Sequence, residues 1–357
     1  MHKTTQRDNN PYPYSDSNKR YQTFDYYTRT RFGGKCAKVT LDIGCTCPNK
    51  ASGGSGCIYC KNGSRSAIGE TIWAQYESGL AIAQRKWRIA GVIPYFQSGT
   101  NTYGAIDVLR RSFFEAAALP GAVMLGIGTR ADCLGEEVLA LLRELAQQIP
   151  VTVELGLQTA HDETARRIRR GHDYAAFAAG YHRLRALAEE LSPGAPKGCG
   201  RLSIGIHLIN GLPGEDESMM LETARSVAAL APDLVKIHLL HVLTDTPLAA
   251  LYASGNYTPL TRDAYCRITA AQLTLLPPDT VIGRITGDAP SADLIAPVWA
   301  RRKTEVANEI DKLLYAQNLW QGCRYEGNGG NEGNGRSPAS SYAWQDSQCG
   351  AGKSFLS

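Results

Sequence analysis

The chain has 357 residues, of which 43% are hydrophobic, and it carries ten cysteines and a formal net charge of +4. This content suffices for one large α/β domain or two small ones, and no apolar stretch is long enough to span a membrane. Scattered cysteines and the lack of a secretion-signal pattern predict a reducing, cytoplasmic location rather than a disulfide-held secreted protein. The mildly basic charge permits a nucleic-acid partner without favouring one strongly.

Both ends of the chain differ from its middle. Residues 1–18 are polar, and residues 325–357 contain a run of Gly, Asn and Glu without apolar periodicity. We expect both segments to be disordered tails. Between them we expect one folded domain at residues 19–300, followed by a helical extension at residues 301–324.

Six short, almost continuously apolar runs alternate with longer segments of helical periodicity. The runs are residues 37–44, 92–98, 122–129, 151–159, 201–210 and 234–242. Such runs are typical of parallel strands that are covered on both faces. The predicted helices are residues 70–89, 106–118, 136–148, 162–170 with a continuation to 191, 218–230 and 262–275. Six βα units predict an α/β fold, namely a partial, three-quarter (βα)6 barrel of the TIM type, with a six-stranded doubly wound sheet as the alternative.

Three cysteines, Cys47, Cys57 and Cys60, flank a glycine-rich loop after the first predicted strand, and Tyr59 precedes the last of them. Closely spaced thiolates are the usual ligands of iron–sulfur clusters. Three thiolates can hold a [4Fe-4S] cluster by three corners and leave one iron open. With Cys45 added, the loop could instead close a four-thiolate structural zinc site. Such zinc sites normally lie in small ribbons, so the long βα pattern that follows favours the cluster.

The ends of the other predicted strands are also polar, and in a barrel the functional residues gather at the carboxyl ends of the strands. We therefore expect the following side chains to face one cavity: Gln97, Ser98, Thr100, Asn101, Thr102, Thr129, Arg130, Asp132, Cys133, Glu154, Gln158, Arg166, Arg167, Arg169, Arg170, His207, Asn210, His238 and His241.

The cysteine loop, its aromatic residue and the partial barrel resemble the radical S-adenosylmethionine (SAM) superfamily. Stretches at residues 47–49, 95–97, 100–103, 154–164, 169–172, 211–215 and 236–238 more narrowly resemble a bacterial family, the YhcC/YtqA-like proteins, that is related to the Elongator radical enzyme. The resemblance implies a [4Fe-4S] cluster on Cys47, Cys57 and Cys60, with its open iron chelated by SAM. It also implies reductive cleavage of SAM to a 5'-deoxyadenosyl radical that abstracts hydrogen from substrate, and a reductase or a flavodoxin- or ferredoxin-type electron donor.

The resemblance also implies which residues contact SAM. In the superfamily, two glycines and a glutamate after the second strand bind the SAM amine. Here the segment differs, which leaves that ligand open among Gln97, Ser98, Thr100 and Asn101. Arg170 is the expected partner of the SAM carboxylate, because a guanidinium can make two hydrogen bonds to it, with Arg169 or Arg167 as alternatives.

Two further contacts concern the nucleoside part of SAM. Glu154 and Gln158 lie four residues apart on one strand, so they point to the same face and can reach the ribose hydroxyls. His207 and the backbone around Leu240 would border the adenine. In the alternative interpretation, Glu154 and His207 are a buried pair that supports the barrel.

Relatives of this family act on the wobble uridine of transfer RNA (tRNA). The resemblance implies removal of the carboxymethyl part of a carboxymethylaminomethyl group, which leaves aminomethyl uridine. The aromatic and basic residues from Tyr21 to Lys38 could contact RNA, or could pack as an N-terminal arm over one end of the barrel. Two other classes stay open: a radical enzyme acting on a small molecule or peptide, and a non-enzymatic protein whose metal site is a clamp or an electron carrier.

Overall fold

The computed structural model of the chain describes residues 10–51, 53–54, 56–61, 69–287 and 292–327. The strands are β1 (Cys36–Leu41), β2 (Gly91–Phe96), β3 (Leu125–Thr129), β4 (Val151–Gln158), β5 (Leu202–Asn210), β6 (Leu234–Leu239), β7 (Val242–Leu243), β8 (Val281–Arg284) and β9 (Leu294–Ala296). The central sheet has the order β1-β2-β3-β4-β5-β6-β8 and all its pairs are parallel, while β7 and β9 form a small antiparallel pair.

The strand order of the central sheet follows the chain order, and the sheet curls into a half-barrel. A doubly wound sheet reverses its strand order at a switch point, and no such reversal occurs among the described strands. The expected partial barrel is therefore confirmed, and all six predicted strands are present. The strand number was wrong by one, because β8 pairs with β6 as a seventh strand. With four residues, one of them Gly283, β8 is too short to give a clear apolar run.

Helices cover the sheet. They are α1 (Phe24–Phe32), α2 (Pro48–Ala51), α3 (Ile72–Lys86), α4 (Ile106–Ala117), α5 (Glu136–Gln148), α6 (Asp162–Arg167), α7 (Tyr174–Leu191), α8 (Glu217–Leu230), α9 (Pro247–Ala253), α10 (Arg262–Leu275) and α11 (Lys303–Ala316). Helix α4 is an example of how the helices pack on the sheet. Its residues Leu109, Phe113 and Ala116 recur on one face and are fully buried.

The helix that we predicted to continue from residue 162 to 191 is two helices. Arg169 and Gly171 both have positive φ, at 55° and 80°, which ends α6 because a right-handed helix cannot pass through such residues. Asp173 then begins α7 by accepting a hydrogen bond from the Ala176 N–H. The resulting turn places Arg170 at the mouth of the barrel instead of on a helix face.

The N-terminal segment packs against the barrel. Residues 10–18, which we expected to be disordered, include Tyr12, which is 3% exposed and donates a hydrogen bond to the Pro278 carbonyl at 2.6 Å. The expectation was wrong for residues 10–18, because the polar composition of this segment does not show that Tyr12 packs against the barrel. Residues 1–9 and 328–357 of the two expected tails lie outside the described residues.

Helix α1 lies at the opening between the first and last strands of the sheet. Thr23, at its start, forms a parallel bridge with Ile282 of β8, and Tyr27 is buried and donates a hydrogen bond to the Gly198 carbonyl at 2.8 Å. The aromatic and basic segment therefore packs as an arm, which was one of the two alternatives. Among the described helices, none combines the length and the hydropathy that a membrane crossing requires.

Candidate active site

A cavity of about 720 Å³ opens at the carboxyl ends of the strands and reaches down to Phe24 at the base of the half-barrel. It is lined by the three loop cysteines and by most of the residues predicted to contact SAM: Cys47, Cys57, Cys60, Gln97, Ser98, Thr100, Glu154, Gln158, Arg170 and His207. The fold thus brings together residues that lie more than 150 positions apart in the sequence, as expected for a parallel sheet whose strand ends share one edge.

The cysteine loop is anchored to the turn after α6 by Asn49. Its Nδ2 donates hydrogen bonds to the carbonyls of Arg169 and Arg170 at 2.9 and 2.7 Å, and lies 3.8 Å from Cys57 Sγ. A Cβ on Gly171 would come within 2.0 Å of Asn49 Oδ1, so only glycine allows this approach. The loop position therefore depends on a specific contact between two distant segments.

A second anchor joins the cysteine loop to the segment after β2. The Thr100 N–H donates to the Thr46 carbonyl at 3.0 Å. Gly99 has a φ of 80°, and a Cβ there would come within 2.1 Å of the Cys45 carbonyl oxygen. The side chain of Cys45 packs in the main apolar core and does not line the cavity, whereas the other three thiols do. This placement favours the three-cysteine interpretation over the four-thiolate zinc site.

A buried guanidinium and a hydrogen bond between two of the thiols surround the cysteine ligands. Arg130, which is 3% exposed, lies with Nη1 3.8 Å from Cys47 Sγ and is held by hydrogen bonds of 2.9 and 2.6 Å to Asp132. A hydrogen bond from Cys60 lowers the pKa of Cys57 to about 5, and the same hydrogen bond holds the pKa of Cys60 well above its usual range. Thiolates are the form that binds iron. Among the described residues, no three His, Cys, Asp or Glu side chains are arranged as ligands of a single metal ion.

Arg170 is 5% exposed and donates one hydrogen bond from Nη2 to the Gly156 carbonyl. Its Nε is buried without a hydrogen-bond partner in the described structure. The alternatives Arg167 and Arg169 are exposed and do not line the cavity. A buried guanidinium with an unused donor is suited to a carboxylate ligand, because leaving such a donor unpaired costs about 1–3 kcal/mol.

Glu154 lies at the centre of a buried polar network below the cysteine loop. Its carboxylate is 1% exposed and accepts hydrogen bonds from Lys38 at 3.1 Å, Tyr95 at 2.8 Å and His207 at 2.6 Å, as well as from Lys236. The neighbouring cations hold the pKa of Glu154 well below its usual range although burial opposes this. The predicted buried pair of Glu154 and His207 is therefore present, as part of a larger network.

Burial lowers the pKa values of His207, Lys236 and His238 in and beside this network. Burial, with Lys236 nearby, lowers the pKa of His207 to about 4. Burial also lowers the pKa of Lys236 to about 7, although the Glu154 carboxylate opposes that shift. Burial and adjacent positive groups likewise lower the pKa of His238, whose ring centre lies 5.0 Å from that of His207. The floor of the cavity thus combines one ionised carboxylate with bases whose protonated forms burial disfavours.

Comparison with known proteins agrees with this geometry. The model of the radical SAM superfamily matches residues 43–227, and the model of the Radical_SAM C-terminal domain matches residues 232–316. The chain belongs to the radical SAM superfamily. The protein YtqA of Bacillus subtilis (strain 168) is 39% identical to it over 320 residues, which cover 88% of this chain and 95% of YtqA. This radical SAM protein therefore falls within the Elongator-related family that its motifs resemble.

Two more distant similarities concern the Elongator proteins. A tRNA uridine(34) acetyltransferase of Methanocaldococcus jannaschii is 24% identical over 70% of this radical SAM chain and 51% of its own length. The solved structure of the archaeal Methanocaldococcus infernus Elp3, with an N-terminal deletion, matches with a TM-score of 0.62 and 18% identity. That match covers 80% of this chain and 64% of the Elp3 chain, and it shows a shared fold.

The residues present fit the cofactors of the superfamily, which are a [4Fe-4S] cluster and SAM. Bound together, these cofactors supply a carbon-centred radical that can take a hydrogen atom from an unreactive carbon. Cys47, Cys57 and Cys60 would hold the cluster, and Arg170 would orient the carboxylate of SAM. The curled sheet excludes bulk water from below, where a radical must be protected from side reactions.

Two residues predicted to contact SAM lie outside the cavity wall of this radical SAM enzyme. Asn101 is fully buried and donates from Nδ2 to the carbonyls of Phe96 and Gly128 at 3.0 and 2.8 Å, so it fixes the segment after β2. The side chain of Leu240 packs in an apolar cluster with Ile58 and Leu248, and the predicted contact of its backbone with adenine stays a prediction. Their polar or apolar character was visible in the sequence, but the direction of each side chain was not.

Three residues of the cavity floor, Lys38, Tyr95 and Lys236, were not identified as site residues from the sequence. Each lies inside an apolar run that forms a doubly covered strand. Lysine is almost never fully buried unless it is paired. A lysine inside such a run is therefore a usable signal for a buried ionic site, and it occurs here in two strands.

Proposed function

We propose that this radical SAM enzyme acts on the wobble uridine of tRNA, where it converts a carboxymethylaminomethyl substituent into an aminomethyl group. The methylene beside the carboxylate would lose a hydrogen atom to the SAM-derived radical and an electron back to the cluster, and water would then cleave its bond to nitrogen and release the two carbons as glyoxylate. The observation that carries the proposal is the similarity to the tRNA uridine(34) acetyltransferase, which extends over 70% of this chain. The fold shared with the archaeal Elp3 supports the same assignment. The transfer RNA would be the substrate, and an electron donor would reduce the cluster.

The size and charge of the cavity support this proposal. Its volume of about 720 Å³ lies within the range of roughly 300–1,000 Å³ that is usual for ligand sites. Its basic lining residues are Lys38, Lys50, Lys61, Arg130, Arg170, Lys236 and Arg284, and the one carboxylate among its described lining residues is Glu154. An excess of cations in a concave site attracts anionic ligands such as nucleic acid. A base extruded from the tRNA could enter such a site.

We assign the contacts to SAM as follows. Arg170 would bind the carboxylate, and Gln97, Ser98 or Thr100 would accept hydrogen bonds from the amine. Gln158 would bind the ribose hydroxyls, because Glu154 is buried and already accepts hydrogen bonds from four side chains. This leaves the deeper part of the cavity for the substrate.

The test is a reaction with defined tRNA. Enzyme reconstituted anaerobically with iron and sulfide is incubated with a reductant, SAM and tRNA carrying carboxymethylaminomethyl uridine, and the nucleosides are quantified by mass spectrometry. We expect aminomethyl uridine and 5'-deoxyadenosine to form together, and neither to form with the Cys57→Ala variant. If tRNA stays unchanged while SAM is cleaved at the same rate without tRNA, the substrate is a small molecule or peptide.

A further inference from the structure

We infer that the floor of the cavity is a binding site for a carboxylate carried by the substrate. We call this site the anion floor and define it by Lys38, Tyr95, Lys236 and His238 around Glu154. The inference rests on the proposed function and deepens it, because the substituent to be shortened ends in a carboxylate. It assigns the anion floor to recognition of that group and not to SAM.

The first argument is charge. Lys38 Nζ lies 3.1 Å from Oε1 of Glu154, and Lys236 forms an ion pair with Oε2 of the same carboxylate. Two lysine side chains thus share one carboxylate, and Lys236 and Glu154 are only 6% and 1% exposed whereas Lys38 is 23% exposed. Burial lowers the pKa of Lys236 to about 7, so a second anion at this point would stabilise its protonated form and would also attract Lys38.

The second argument is that both ammonium groups are held in place before any ligand arrives. Lys38 Nζ lies 4.3 Å from the ring centre of Phe24 and 5.0 Å from that of Tyr95. Lys236 Nζ lies 4.6 Å from the ring centre of Tyr95. These cation–π contacts hold the two groups beside one aromatic ring and reduce the entropy lost when an anion binds.

The third argument is an unused hydrogen-bonding group beside the lysines. The Nε2 atom of His238 is buried and has no hydrogen-bond partner in the described structure. His238 lines the same cavity as Lys38 and Lys236. Buried polar atoms are nearly always paired, so an unpaired atom of a residue that lines a cavity indicates a place for a ligand.

The depth of the anion floor in the cavity determines which kind of anion can reach it. Glu154 is the fourth residue of the eight-residue β4, and Lys236 is the third of the six in β6, so the floor lies at mid-strand, below the cysteine loop. The tip of an extruded base reaches deepest into an enzyme, whereas its phosphates stay with the backbone near the surface. A carboxylate at the end of a base substituent therefore fits the floor better than a phosphate does.

The test compares the binding of a nucleoside that carries the carboxylate with the binding of its methyl ester. Calorimetry measures binding of the nucleoside 5-carboxymethylaminomethyluridine, and of its methyl ester, to cluster-loaded enzyme with SAM present. We expect the acid to bind roughly 10- to 100-fold more tightly than the ester, as for a charge-assisted hydrogen bond. Lys38→Met should remove this difference, Lys38→Arg should retain most of it, and the matched charge loss Lys35→Met, outside the cavity, should leave it unchanged.

A second variant and a second probe separate the possible outcomes. Lys236→Met, with its folding checked by circular dichroism, should also remove the preference for the acid. If neither nucleoside binds but N-acetylglycine binds in a manner that depends on Lys38, the anion floor is supported and the wobble-uridine substrate is wrong. If acid and ester bind equally to the wild type, or if Lys38→Met weakens only SAM binding, the inference is overturned while tRNA turnover can still be observed.

Discussion

The Nε2 atom of His207 lies 2.6 Å from Oε2 of Glu154, and this contact joins β5 to β4 inside the half-barrel. Because the pKa of His207 falls to about 4 on burial, the imidazole is neutral near pH 7 and Nε2 donates to the carboxylate. The hydrogen bond fixes the carboxylate that also holds Lys38 and Lys236. The pair therefore supports the barrel and positions the cations of the cavity floor.

Acid should destabilise the protein through His207. Its pKa is about 4 in the folded chain and near 6.5 in the unfolded chain, so the unfolded state binds more protons between these values. The free energy of unfolding should then fall, by on the order of 3 kcal/mol, as the pH decreases from about 6.5 to about 4. Urea denaturation across this range measures the slope.

The matched comparison isolates the contribution of His207. The variant His207→Gln keeps a hydrogen-bond donor but cannot titrate, so it should show a clearly shallower dependence on pH. His182→Gln, at an exposed position of α7, should keep the wild-type slope. Equal slopes for the wild type and His207→Gln would show that the imidazole is not buried in its neutral form.

Loss of the Glu154 carboxylate should be strongly destabilising. The substitution Glu154→Gln keeps the shape but leaves Lys38 and Lys236 without their shared anion in a buried place. Removing one partner of a buried ion pair costs about 3–5 kcal/mol, whereas exposed pairs contribute about 1 kcal/mol or less. Urea denaturation at pH 7 should show this contrast with Glu163→Gln, which breaks an exposed pair with Arg167. A loss below 1 kcal/mol in Glu154→Gln would contradict the network.

The sequence predicts the barrel well because its strands are covered on both faces. Runs such as residues 151–159 stay apolar throughout, and this pattern is visible without tertiary information. Strand β8 has four residues and owes its place to pairing with β6, so local pattern could not reveal it. The break before α7 was missed because Arg169 adopts a positive φ, which its residue type does not suggest.

The cysteine loop and, in the cavity floor, Glu154, His207 and His238 were named from the sequence, whereas Lys38, Tyr95 and Lys236 were not. Cysteine spacing is a local signal, so the cluster ligands could be named from the loop alone. The direction of a side chain at a strand end depends on the twist and bulges of the sheet, so Asn101 could not be told apart from Ser98. The shared partner of Lys38 and Lys236 lies on a third strand, and only the fold brings the three together.

Cluster binding should depend on Cys57 and not on Cys45. Cys57 lines the cavity, whereas Cys45 packs in the apolar core. After anaerobic reconstitution, Cys57→Ala should lose most of its iron and sulfide, and Cys45→Ala should keep wild-type content and the electron paramagnetic resonance signal of the reduced cluster. Loss of iron in a folded Cys45→Ala variant would show that Cys45 is a ligand and that the loop forms a four-thiolate site.

The contact between Gly171 and Asn49 should control how well the cysteine loop holds its cluster. Gly171→Ala places a methyl group where Asn49 Oδ1 lies and strains a φ of 80°, whereas Gly194→Ala strains a φ of 63° with no atom within 4 Å. Each substitution should cost roughly 1–2 kcal/mol of stability from the backbone alone. Only Gly171→Ala should also reduce the iron bound per chain. Equal iron contents in the two variants would show that Asn49 does not anchor the loop.

Arg170 should bind SAM without contributing a cluster ligand. Arg170→Ala removes the buried guanidinium, so the dissociation constant for SAM should rise by roughly 10- to 100-fold, as for a lost charge-assisted hydrogen bond. The exposed neighbour Arg169→Ala serves as the matched control and should bind SAM normally. The SAM-dependent change in the electron paramagnetic resonance spectrum reports binding, and iron analysis reports the cluster. Unchanged SAM binding in Arg170→Ala would indicate that the SAM carboxylate is bound by Arg130, the other buried arginine beside the thiols.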